Sequence, residues 1–156
     1  MGPNWDWDGD ESLLRFHDPA EWDDAYGRGR VRHLGSAAIG LAFNCPLAQA
    51  SPRIIKAMRL PDFHERTFAY TAAGTAARLH GELTPELYAA LRAEGHRGPA
   101  ETAVDDTLTF VPFRDLPPWF KWRKVASRVE DKLAVWRMRG EDAATAVRET
   151  LRRRHP

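Results

Sequence analysis

Apolar residues recur at helical spacing through most of the chain, and one segment shows this pattern most fully. In that segment Asp62 precedes Glu65 by three residues, so Asp62 can cap a helix while Glu65 reaches back to the cap amide. The predicted core face follows at steps of four, four and three: Phe68, Ala72, Ala76 and Leu79. Gly81 is expected to end this helix, and Thr84 before Pro85 to begin another.

A weaker copy of this helix pair lies immediately upstream. SPRIIKAMR, which begins at Ser51, aligns with TPELYAALR, which begins at Thr84, at an offset of 33 residues. HLGSAAIGLAF from His33 aligns with TFAYTAAGTAA from Thr67 at an offset of 34. A period of this length indicates a helical repeat, in which Ser51 would cap its helix as Thr84 does.

The remaining patterns place further helices around these two repeats. Asp18, with proline next and glutamate three residues on, predicts a short helix to about Tyr26. A degenerate third repeat is expected from Glu101, although the β-branched residues of LTFV leave a strand open as an alternative there.

The C-terminal third carries the longest amphipathic pattern. Its apolar residues step by three, four, four and three: Trp122, Val125, Val129, Leu133 and Trp136. We expect this row to lie in the core, Gly140 to stop the helix, and a last helix to begin near Asp142. These helices are predicted to cap the open end of the repeats.

PDFHERTFAYTAAGTAARLHGELTPELYAALR followed by AETAVDDTLTFV resembles small bacterial HEAT-repeat proteins, some of which are similar to immunity proteins encoded beside the toxins they neutralise. The resemblance covers about residues 35–111. It implies an all-α fold, a short HEAT-like α-solenoid of about three helix pairs with a C-terminal helical cap. The expected parts of this single folded domain are an acidic tryptophan-containing arm with a short helix (1–30), the HEAT-like repeats (31–115) and basic C-terminal helices (116–156).

Charge is distributed unevenly although the total is close to neutral. The 23 basic and 22 acidic side chains give a net charge of +1. Residues 1–30 hold eight acids and three bases, whereas residues 119–156 hold eleven bases and five acids. The single cysteine and the lack of a long apolar run predict a cytoplasmic protein that does not enter membranes, with Cys45 as a small buried hydrophobe.

The acidic N-terminal region is the leading candidate for function. Tryptophan is enriched in binding hot spots, and acidic neighbours would speed docking to a basic partner such as a nuclease toxin. We therefore expect a non-catalytic protein-binding module, an immunity protein on the resemblance, that uses its concave helical face and this arm. An acidic pair matching one in the similar HEAT proteins adds to the predicted partner-binding set: Trp5, Asp6, Trp7, Asp8, Trp22, Asp23, Asp24, Asp105 and Asp106.

The sequence gives weaker support for other kinds of site. The basic C-terminal helices suggest nucleic-acid binding as the alternative, with Arg123, Lys124 and Arg128 as the contacts. The same acids and tryptophans also fit a simpler hypothesis, in which the arm folds back on the repeats and its carboxylates are solvated. Because the sequence shows no chelating histidine pair, nucleophile elbow or phosphate loop, it predicts no metal, cofactor or catalytic residue.

Overall fold

The described chain is helical throughout, which confirms the predicted all-α class. The structure is a computed structural model that describes residues 5–7 and 9–153. That part contains no strand, and the segment ending in LTFV is a helix as far as Phe110. The α-helices are α1 (Asp10–Leu13), α2 (Pro19–Gly27), α3 (Leu34–Asn44), α4 (Leu47–Ala57), α5 (Phe63–His80), α6 (Pro85–Glu94), α7 (Glu101–Phe110) and α8 (Pro118–Arg153).

The chain divides into two compact units, one ending at Pro117 and the other beginning at Pro118. In the first unit α5 packs against both α3 and α7, while α4 contacts α3, α5 and α6. α1 and α2 pack on α3. The most extensive packing thus joins helices that are two places apart in the chain, α3 with α5 and α5 with α7.

Side-chain caps begin the helices where the sequence predicts them. Asp18, Asp62 and Thr84 each accept a hydrogen bond from a backbone amide in the first turn of their helix, at 3.0–3.3 Å. Gly81 ends α5 with a φ of 66°, in the left-handed region that favours glycine. Local hydrogen-bonding chemistry alone is enough to set these boundaries.

Glu65 does not complete the predicted capping box. Its carboxylate instead accepts the backbone N–H groups of His33 and Gly35, both at 2.7 Å, at the start of α3. The side chain is only 7% exposed. A buried acid on α5 therefore serves as the N-terminal cap of a different helix, where its charge also complements the helix dipole.

The buried face of α5 differs from the predicted one. Ala72 and Ala76 are buried as expected, but Phe68 and Leu79 are exposed. Small residues fill the helix crossings instead: a Cβ added to Gly74 would lie 3.2 Å from the Cα of Ala103 on α7. Because the axes approach this closely, an aromatic or leucine side chain does not fit between them.

Ser51 lies inside a helix and does not cap one. α4 begins four residues earlier, at Leu47, and continues through Pro52. The Ser51 hydroxyl is 2.5 Å from the hydroxyl of Thr84, the residue that the 33-residue offset aligns with it. The repeat alignment thus pairs two residues that are in contact, although only Thr84 has the capping role.

The described part of the second unit is a single long helix. Gly140 does not stop it, since α8 runs without a break to Arg153. The apolar row of this helix, which we call the α8 seam, is also not buried as predicted. Its side chains are 50–76% exposed: Trp122, Val125, Val129, Leu133 and Trp136. The capping role of residues 116–156 stays a prediction.

Alkaline pH is expected to destabilise the first unit through Tyr70. Its hydroxyl donates to Glu94 at 2.9 Å, and burial together with this hydrogen bond raises the pKa of Tyr70 to about 12. The fold favours the neutral phenol, so this stabilisation is complete below pH 10 and is lost as the pH rises towards 12. In thermal melts between pH 9 and 12, the wild type should lose more stability than Tyr70→Phe; equal losses would exclude this role.

Candidate functional site

The N-terminal arm folds onto a buried phenylalanine. The rings of Trp5 and Trp7 lie 4.8 and 5.2 Å from the ring of Phe16, which is fully buried. Both tryptophans are half-buried, and the guanidinium of Arg30 lies 5.0 Å from the centre of the Trp7 ring. Each ring therefore keeps an accessible portion while the arm is held against the first unit.

Trp22 belongs to the core. Its side chain is fully buried, its indole N–H donates to the carbonyl of Leu34 at 3.1 Å, and its ring stacks on Tyr26 at 5.3 Å. This tryptophan fixes α2 against α3 and presents no surface to a partner.

Several acids of the predicted site are already paired within the chain. Asp23 forms salt bridges with Arg53 and with Lys56, the latter at 3.3 Å. Asp24 pairs with Arg28 at 2.6 Å. These contacts neutralise part of the acidic field that the composition of residues 1–30 suggests.

The remaining acids of the predicted set lie in different places. Asp6 is exposed, and Asp8 lies outside the described residues. Asp106 makes a two-pronged contact with Arg78, at 3.0 and 3.1 Å, and so links α7 to α5. Asp105 is exposed on α7, and its backbone carbonyl accepts a hydrogen bond from Thr109. Neither Asp105 nor Asp106 is among the described residues that line the cleft beside Trp7.

An open groove between α4 and α6 is a feature that the sequence pattern missed. It encloses about 680 Å³, within the range of small binding clefts. Its lining combines a mostly apolar floor with one acid and one base: Ser51, Pro52, Ile55, Arg59, Glu86, Ala89, Ala90 and Ala93. The alanines of α6 could have indicated this groove from the sequence, because small side chains along one side of a helix leave space beside it.

The two charges lie at opposite ends of this groove. Glu86 is in the first turn of α6, beside Thr84, which contacts Ser51. Arg59 is eight residues beyond Ser51, roughly 12 Å along the helix direction. The groove thus presents an acid at one end, a base at the other and apolar surface between them.

A second cleft lies beside the arm. It encloses about 710 Å³ and is lined by Trp7, Glu21 and three arginines, Arg28, Arg30 and Arg32, among others. Residues 27–30, GRGR, have only the features of a hinge in the sequence, so this cluster was also missed. Arg28 contacts Glu21 and Asp24, which offsets part of the positive charge there.

The residues of the nucleic-acid alternative are on α8. Arg128 is exposed, whereas Arg123 and Lys124 are half-buried. The guanidinium of Arg123 lies 6.0 Å from the ring centre of Trp122. All three side chains are near the start of one helix, α8.

Two further properties concern the described residues as a whole. None of their helices is both long and apolar enough to cross a membrane. Across the same residues, no three or more histidine, cysteine, aspartate or glutamate side chains are grouped so as to hold a metal ion. The sequence matches no protein-family model, and comparison with curated proteins and with solved structures found no match.

Proposed function

We propose that this chain is a non-catalytic protein-binding module that holds a helix of its partner in the groove between α4 and α6. The open apolar groove is the observation that carries this proposal. A helix that lays its apolar face into such a groove is a common mode of recognition. Ala89, Ala90 and Ala93 would allow the backbone of the bound helix to approach α6 closely.

The charges of the groove favour one direction for the bound helix. A helix carries partial positive charge at its N-terminus and partial negative charge at its C-terminus. The N-terminus would therefore lie beside Glu86 and the C-terminus beside Arg59. A partner with a basic residue in its first turn and an acidic residue in its last turn would also pair with Glu86 and Arg59 through its side chains, whereas the reverse placement would set like charges together at both ends.

A HEAT-like arrangement is the more specific fold that we propose. Its support is that α5 packs against both α3 and α7, while α4 contacts α6 and Ser51 meets Thr84 one repeat later. Together with the sequence resemblance, this makes a toxin-neutralising immunity protein the proposed biological role. The exposed parts of Trp5, Trp7 and Asp6 would provide a second contact with the toxin.

Blocking the groove is expected to abolish partner capture. Ala89→Arg places a long charged side chain in the groove at an exposed helical position and should weaken binding at least tenfold. Gln49→Arg is the matched control, because it adds the same charge at an exposed site on α4 outside the groove lining. Both variants should retain the wild-type circular dichroism.

The measurement is a tagged pull-down from native lysate with nuclease present, followed by affinity titration of the stoichiometric partner. Loss of binding in Ala89→Arg but not in Gln49→Arg supports the groove. Equal retention by both variants would rule the groove out as the binding site. If capture disappears on nuclease treatment alone, the nucleic-acid alternative at Arg123, Lys124 and Arg128 replaces the proposal.

A further inference from the structure

The α8 seam is a large exposed apolar surface. Trp122 and Trp136 are 63% and 76% exposed, and a tryptophan offers roughly 150–250 Å². These two rings alone leave on the order of 250–300 Å² of surface in water. Val125, Val129 and Leu133, each at least half exposed, bring the patch into the upper part of the ~300–600 Å² that a typical monomer shows.

The seam continues along the helix as a row of small residues. From Trp122 the steps are three, four, four, three, four and four, which extends the row to Gly140 and Ala144. Two successive blocks of eleven residues keep a row on one side of a nearly straight helix. The row spans 22 helical steps, or roughly 33 Å. The row therefore has large side chains at its Trp122 end and small ones, Gly140 and Ala144, at its other end.

We propose that the α8 seam pairs with the same seam of a second copy of this chain, antiparallel and with the two-fold axis at Leu133. Trp122 and Ala144 lie eleven residues to either side of Leu133, so Trp122 of each copy meets the small Ala144 of the other. Val129 and Trp136 lie four residues before and three after it, so they also face each other. A parallel pair would instead set each tryptophan against its own copy and leave a gap at Gly140.

Charges beside the seam agree with this direction. Four charged residues each follow a seam-row residue by one position and so share one flank: Arg123, Glu130, Arg137 and Glu141. The same two-fold axis sets Glu130 opposite Arg137 of the copy to within one residue. Arg123 is ten residues before Leu133 and falls between Glu141 and Thr145 of the copy.

The other flank, formed by residues one position before the row, is basic. There the axis sets Lys124 opposite Ala143 and Lys132 opposite Val135. Only Arg128 and Arg139 meet as like charges. Opposite-charge and like-charge pairs are therefore equal in number across the interface, and the packing of the seam supplies the main attraction.

The size of the contact suits a stable dimer. A standard interface covers about 800 Å² on each partner. The seam supplies well over half of that, and the charged flanks along its ~33 Å length supply the remaining polar rim.

Analytical ultracentrifugation of the full chain tests the surface. We expect a dimer in the wild type and a monomer for Leu133→Glu. Met138→Glu is the matched control: Met138 is as exposed as Leu133, at 61%, but lies on the opposite side of α8. It should remain dimeric, with the same circular dichroism as Leu133→Glu. A wild-type monomer at all concentrations, or a dimer that survives Leu133→Glu, would overturn the proposal.

A charge exchange tests the direction of pairing. In the antiparallel dimer Arg137→Glu places two acids opposite each other, so the dissociation constant should rise several-fold. Adding Glu130→Arg in the same chain restores opposite charges and should return the affinity to near the wild-type value. A parallel pair would set position 137 against the basic flank, so tighter dimerisation of Arg137→Glu would disprove the antiparallel arrangement.

Discussion

Glu65→Ala should destabilise the first unit by about 3 kcal/mol, because it leaves two backbone N–H groups at the start of α3 without their acceptor. These amides, from His33 and Gly35, each lie 2.7 Å from a carboxylate oxygen of Glu65. Water cannot readily replace the acceptor, since Glu65 and Gly35 are both buried. Urea denaturation at pH 7, followed by circular dichroism, measures the loss.

Two further variants separate the acceptor role from other effects of the change. Glu82→Ala removes an exposed carboxylate from a loop and should change stability by no more than about 0.5 kcal/mol. Glu65→Gln preserves the size of the side chain but turns an NH₂ group towards one of the amides. Most of the loss should therefore persist in the glutamine variant, and a fully stable Glu65→Gln would show that the two hydrogen bonds contribute little.

Gly40→Ala should also cost about 3 kcal/mol, although alanine is usually the better residue in a helix. Gly40 is in α3, where an added Cβ would overlap the carbonyl oxygen of Leu13 and lie 2.8 Å from the Cβ of Phe16. Backbone atoms cannot rotate away as the end of a flexible side chain can. The segment before α2 would have to move off α3 to make room.

The same substitution at Gly140 should increase stability, where Gly40→Ala decreases it. An added Cβ there meets nothing within 4 Å, so Gly140→Ala should stabilise α8 by about 1 kcal/mol. Thermal unfolding followed at 222 nm compares the two variants directly. Gly40→Ala should lower the midpoint temperature of the main unfolding transition. Gly140→Ala should strengthen the helical signal at 222 nm, because α8 becomes more fully helical. A neutral Gly40→Ala would contradict the close approach of Leu13 to α3.

Local chemistry made much of the helix order predictable from sequence. Asp18, Asp62 and Thr84 each combine a capping oxygen with the proline or glutamate that usually accompanies it, and each begins a helix as expected. Gly81 was equally informative, because a left-handed glycine can end a helix without contacts from other parts of the fold.

Features that depend on tertiary packing were harder to predict. Spacing alone placed Phe68 on the core face of α5, but Phe68 is exposed. The buried face of α5 is instead the one that α3 and α7 approach closely. Gly140 failed as a stop signal because one glycine costs only about 1 kcal/mol within a helix whose neighbours all favour it. A glycine ends a helix when it adopts the left-handed backbone conformation there, as Gly81 does after α5.

The candidate site was predicted in part. Composition identified an arm with tryptophans and acids, and the structure holds Trp5 and Trp7 half-buried against Phe16. Composition could not show that Asp23 is paired with Arg53, since these residues are 30 positions apart. The groove between α4 and α6 is formed by the spacing of two helices, and no motif in either helix encodes that spacing.

Cys45 gives the protein a built-in probe of local opening. It is the one cysteine in the chain, it is buried at the end of α3, and its thiol donates weakly to the carbonyl of His17 at 3.6 Å. Burial also raises the pKa of this thiol, and only the thiolate reacts with alkylating reagents. Labelling therefore proceeds mainly from molecules in which the junction of α3 and α4 has opened, so its rate reports the free energy of that opening without any engineered residue.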